Sequence, residues 1–147
     1  MPRIDLDAVP QTNATGYPPP YSNDVQGRFY RRLAPAGGIT DFGASHVVLK
    51  PGGWSSQRHW HEGEDEIVVM IAGEAVLIDD NGRTPVRPGD ILAFPKGDGN
   101  GHHLINESDA DCVFVAVGRP SATDCHYPDI DMHLSDGAYQ RRDGTTY

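Results

Sequence analysis

The stretch Gly53-Trp-Ser-Ser-Gln-Arg-His59-Trp-His61-Glu-Gly-Glu-Asp-Glu66-Ile-Val-Val-Met-Ile-Ala-Gly73 decides how this chain is read. His59 and His61 are two residues apart, so on a β-strand both imidazoles leave the same face. The acidic segment Glu62–Asp65 reads as a polar turn, and Glu66 opens an apolar run. If the chain doubles back there, the Glu66 carboxylate faces the same interior as the two histidines. Two neutral imidazoles and a carboxylate suit Mn, Fe, Co, Ni, Cu or Zn and suit Mg or Ca poorly.

Further along, Gly89-Asp-Ile-Leu-Ala-Phe-Pro95-Lys-Gly97-Asp-Gly-Asn-Gly-His102-His103-Leu-Ile-Asn106 reads as a strand, a glycine-rich turn and a second strand that begins with histidine. Around these segments the chain breaks into short β-type runs: Ala44–Leu49, Gln57–His61, Glu66–Ile71, Ala75–Asp79, Asp90–Phe94, His102–Asn106 and Cys112–Val117. Pro51-Gly-Gly, Asp80-Asn-Gly, Pro88-Gly and Pro95-Lys-Gly separate them, and Asp80-Asn81-Gly82 predicts a hairpin. No stretch repeats apolar residues at helical spacing for a full helix length. The expectation is all-β, a sandwich or barrel.

Both segments resemble the paired motifs of the cupin superfamily. Gly53, His59, His61, Glu66 and Gly73 match the first motif at every spacing. Gly89, Pro95, Gly97, His102 and Asn106 match the second, except that four residues instead of two separate Gly97 from the histidine. That departure leaves His103 as a rival ligand, while His102 keeps the three-residue spacing to Asn106. The resemblance implies a double-stranded β-helix, or jelly-roll barrel, with one divalent transition metal ion (Fe, Mn, Ni, Zn or Cu) held by His59, His61, Glu66 and His102. An open coordination position for water or substrate follows from three to four protein ligands. Imidazole ligands lead to the expectation that metal affinity falls below about pH 6.

Strand parity then predicts the pocket. With the ligands inward, Gln57, Val68, Met70, Leu104 and Asn106 line a mainly apolar cavity suited to a small organic ligand. Trp54 and Trp60 face the other way.

The 147 residues set the expectation of one domain. Residues 1–27 read as an extended N-terminal arm, 28–135 as the barrel, and 136–147 as a hairpin or tail. The net charge of −9 disfavours nucleic acid and anionic membranes. Two cysteines form no disulfide framework, and the start lacks the apolar run of a signal peptide, so a cytoplasmic location is expected. The arm and the outward tryptophans need burial, which predicts a homodimer. A metalloenzyme (dioxygenase, isomerase or lyase) and a non-catalytic small-molecule binding or sensing protein are the two functional classes these residues admit. None of the side chains read into the pocket stands out as a dedicated catalytic acid or base.

Overall fold

A computed structural model describes residues 2–147. Among the described residues, twelve strands form the all-β double-stranded β-helix, or jelly-roll barrel, that the two motifs led us to expect. β1 (Arg28–Arg32), β2 (Gly43–Leu49), β9 (Cys112–Gly118), β4 (Glu66–Ala72) and β7 (Ile91–Phe94) lie side by side in a five-stranded sheet. A second sheet orders β12 (Ala138–Gln140), β11 (Met132–Ser135), β10 (Cys125–Tyr127) and β3 (Trp60–His61), and a third orders β6 (Gly82–Val86), β5 (Ala75–Asp79) and β8 (His103–Ile105). Bridges at His59↔His102 and Trp54↔Ile105 join the two smaller sheets into one curved face opposite the first.

Alternation along the strands explains the core. On β4, Val68 and Met70 are buried while Ile67 and Ile71 are exposed. Val68 and Met70 join Val47, Leu49, Phe114 and Phe94 in the main cluster. Each such side chain contributes about 1.5–3 kcal/mol on burial. A smaller cluster at the other end gathers Cys125, Tyr127 and Met132 with Tyr17 and Tyr139 packed against it.

Two motif glycines are backbone requirements. A Cβ at Gly73, where φ is +70°, would sit 2.2 Å from the Asp111 carbonyl oxygen. One at Gly53 would sit 3.0 Å from the carbonyl oxygens of Gly27 and Lys50, where the start of β1 presses against the first motif.

The run Gln57–His61 is strand only at Trp60–His61, and residues 55–58 are a bend. Ordinary turn chemistry holds elsewhere. Asn81 N donates to Asp79 Oδ1 (2.9 Å) in the β5–β6 hairpin, and Asp136-Gly137, both at positive φ, joins β11 to β12. The N-terminal segment packs on its own domain: Thr12 bridges Tyr30, and Val25 is fully buried. Among the described residues no helix is long and apolar enough to cross a membrane.

Candidate metal centre

His59 and His102 face each other across two backbone hydrogen bonds, His102 N to His59 O (2.9 Å) and His59 N to His102 O (3.2 Å). Directly opposed residues of an antiparallel pair point to one face. Their rings are 4.9 Å apart between centroids, and His59 and His61 are 4.8 Å apart. Glu66, the first residue of β4, pairs with Phe94 on β7. Phe94 in turn stacks on the His102 ring, so one strand pair aims the carboxylate and braces an imidazole.

Two extra residues in the second motif are absorbed by the loop before His102. Asn100 donates to Asp79 Oδ2 (3.1 Å) and accepts from Asp80 N (2.9 Å). Arg58 donates to the Gly101 carbonyl (3.1 Å), grips Asp129 through two 2.7 Å bonds, and pairs with Asp80. The loop is therefore tied to its surroundings on both sides. Because side chains alternate along a strand, His103 takes the opposite direction. Its Nδ1 meets the Ser56 carbonyl at 2.9 Å, and its ring packs edge-on against Trp54.

Three overlapping sets of donor atoms each lie within 4.8 Å of one another: His59, Glu66 and His102; His61, Glu64 and Glu66; and His59, His61 and Cys125. These groupings could hold a metal ion. The four residues marked by the sequence are spread over two of the sets and joined through Glu66. All four line one cavity of about 620 Å³.

The donor chemistry fits a cation. His59 Nδ1–H donates to the Gln57 carbonyl (2.8 Å) and His102 Nδ1–H to the Asn100 carbonyl (3.1 Å), which leaves each Nε2 with a free lone pair. His102 Nε2 is buried and has no hydrogen-bond partner. A buried nitrogen lone pair left unpaired is costly, and a metal ion would satisfy it.

Burial, reinforced by the neighbouring histidines, pushes His59 down to about 3 and His61 down to about 4, and burial also lowers His102. The imidazoles are thus held neutral, ready to ligate. Burial first, then the charge of Glu64, raises Glu66 to about 7. For a cation bound here, the Glu66 proton would be a competitor below about pH 7.

The predicted pocket divides. Val68 and Leu104 line the cavity. Gln57 does not: its amide donates to Tyr21 O (3.0 Å) and Asp24 Oδ2 (2.8 Å), because residues 55–58 bend and strand parity fails there. Met70 lies in the packed core beyond the cavity. Asn106 follows the end of β8 and ties loops together, donating to Leu49 O and Ala110 O (both 2.8 Å). Trp54 and Trp60 are half-buried, Trp54 edge-on to His103 and Trp60 stacked on His126 with ring centroids 4.4 Å apart.

Glu64 and Cys125 are not read as metal ligands from the sequence. Glu64 belongs to the acidic turn, and its Oε2 lies 3.7 Å from His61 Nδ1. Gly118 makes room for it, since a Cβ there would come within 2.5 Å of Glu64 Oε1. Cys125 pairs in register with His61 across β10–β3.

The Cupin domain family model matches residues 45–118. A cupin-superfamily sugar phosphate isomerase from Silicibacter pomeroyi DSS-3 has the same structure at TM-score 0.94, with 39% identity over 99% of this chain and 96% of that one. The oxalate-binding protein of Thermotoga maritima is 36% identical over 67 residues, 46% of this chain and 54% of the other, so the match spans about half of that curated relative. The polyketide cyclase RemF of Streptomyces resistomycificus, at 22% identity over 82% of each chain and TM-score 0.67, shares the fold. The chain belongs to the cupin family.

Proposed function

We propose that His59, His61, Glu66 and His102 together hold one divalent transition metal ion and that the protein is a metalloenzyme acting on a small organic substrate in the adjoining cavity. The observation that carries this reading is the buried, partnerless His102 Nε2 beside His59 and Glu66. When bound, the metal supplies Lewis acidity toward a substrate oxygen.

The chain's own residues do the rest. The carbonyls of Gln57 and Asn100 fix two imidazole tautomers. Val68, Leu104 and Phe94 keep the centre partly dry. An isomerase-type reaction is favoured over oxygen insertion by the Silicibacter relative, which bears the name of a sugar phosphate isomerase.

A non-catalytic binder is the second reading, favoured by the oxalate-binding relative. The homodimer also remains our proposal, through a surface the sequence did not mark: Ile67, Ile71 and Ile91 stand 40%, 48% and 62% exposed on the five-stranded sheet.

Elemental analysis of tag-free protein tests the centre. One equivalent of metal is expected, lost in His61→Ala and His102→Ala and kept in His103→Ala. Equal loss in His103→Ala and none in His102→Ala would reassign the ligand. Turnover by the loaded protein separates the two classes, since a binder gives saturable affinity without product.

A further inference from the structure

The inner face of β1 is built for something other than packing. Register places Arg28 opposite Leu49, Tyr30 opposite Val47 and Arg32 opposite Ser45. Leu49 and Val47 are core residues, so β1 presents Arg, Tyr and Arg on the barrel side, where a strand normally supplies apolar groups. All three line the same cavity as the histidines and Glu66.

Arg28 is the unusual member. Its Nη1 donates to the Ser55 carbonyl (3.0 Å), and its guanidinium carbon lies 5.3 Å from the Tyr30 ring centroid. Its Nε is buried with no hydrogen-bond partner, and among the described residues the side chain makes no ion pair. A buried, unpaired guanidinium donor costs free energy that nothing in the chain offsets. In a protein of net charge −9, this is a cation without a carboxylate beside it. Ser55 and Tyr30 hold the guanidinium in place and leave its Nε–Nη2 edge unbonded. Because Nε is sealed from solvent while Nη2 is not, an incoming oxyanion meets this guanidinium fork at its Nη2 end, in the cavity that Arg28 lines.

We infer that Arg28 anchors the ligand of this cavity through an oxyanion, a carboxylate or phosphate group, while the rest of the ligand extends toward the histidine–glutamate centre. The inference rests on the proposed metal site for the far end of the ligand and stands on Arg28 alone for the near end. Arg32, four residues along the same strand face with its backbone about 13 Å further on, is exposed and adds positive charge to the outer cavity.

Calorimetric titration of inorganic phosphate, oxalate and uncharged glycerol into metal-loaded and chelator-treated protein tests this. Both oxyanions should bind and glycerol should not. In chelator-treated protein, Arg28→Gln should weaken phosphate and oxalate by about tenfold or more while the metal content of the loaded form stays at the wild-type level; Arg28→Lys, which keeps charge but loses the fork, should fall between. The tighter of the two probes identifies carboxylate or phosphate as the recognised group. His61→Ala separates the two proposals, because it should lose metal yet keep Arg28-dependent phosphate binding. Should Arg28→Gln fail to fold by circular dichroism, Arg28→Lys decides. Wild-type affinity in Arg28→Lys and Arg28→Gln, binding of glycerol as tight as that of the oxyanions, or no binding of either oxyanion would overturn the inference.

Discussion

Phe94 and His102 stack with their rings 3° from parallel and their centroids 3.6 Å apart. Phe94 is also the register partner of Glu66, so one aromatic side chain couples the positions of two proposed ligands. Replacing it with leucine preserves most of the burial and removes the flat platform. Phe94→Leu should fold, cost about 1–2 kcal/mol in chemical denaturation, and lower metal affinity by about tenfold. An unchanged affinity by competition with a chelator would show that His102 does not depend on this contact.

Glu66 sets the pH behaviour of the metal-free protein. Its folded pKa, raised to about 7 by burial and Glu64, lies above its ordinary value of 4.5. The stability it contributes is therefore fully present below about pH 4.5 and is lost as pH rises through about 7. Glu66→Gln removes that loss. The difference in melting temperature between metal-free Glu66→Gln and wild type should widen in favour of the variant from pH 4.5 to pH 8, by on the order of 2 kcal/mol or several degrees. A pH-independent difference would contradict the raised pKa.

The opposite sign applies to His59 and His61, whose depressed pKa values of about 3 and 4 give stability that is complete above about 6.5 and lost as pH falls through those values. Metal-free His59→Phe should accordingly lose less stability than wild type between pH 6.5 and pH 4, measured by urea denaturation at each pH. Parallel losses would mean that His59 is protonated in the folded state.

Cys125 Sγ lies within 4.8 Å of donor nitrogens on both His59 and His61. Cobalt(II) is a direct reporter, because a thiolate ligand adds an intense near-ultraviolet charge-transfer band. Cobalt-loaded wild type and Cys125→Ser should give the same spectrum without that band, because the four proposed ligands carry no sulfur and burial pushes the Cys125 thiol up to about 12. A charge-transfer band present in wild type and lost in Cys125→Ser would instead add the thiolate to the ligand set.

Ile67, Ile71 and Ile91 share the outer side of the five-stranded sheet. Wild-type protein at micromolar concentration should scatter light as a dimer, and the double variant Ile67→Lys, Ile91→Lys as a folded monomer. A wild-type monomer would place the surface outside any self-association.

Much of the centre was legible before folding. The spacings of His59, His61 and Glu66 and of Gly97, His102 and Asn106 are local, and locally determined strands and turns such as Ala75–Asp79 or Asp80–Gly82 follow from alternation and turn chemistry. Gln57 shows where that logic stops. Period-two parity holds only while the backbone is paired, and residues 55–58 bend, so a residue placed in the pocket by counting turns to Asp24 and Tyr21 instead. The position of Asn106 fails for the same reason, just past the end of β8.

Sequence alone determined the residue types of the candidate centre, their order along the chain and the all-β barrel that carries them, because these depend on side-chain chemistry and on separations of a few residues. Only the tertiary structure decided which distant groups join them. His102 faces His59 through a bridge between residues 43 positions apart, Cys125 meets His61 across another strand pair, and Arg28 enters the cavity because β1 pairs with β2. Such contacts arise from long-range strand register, which is set by how the whole core packs and by no local run of residues.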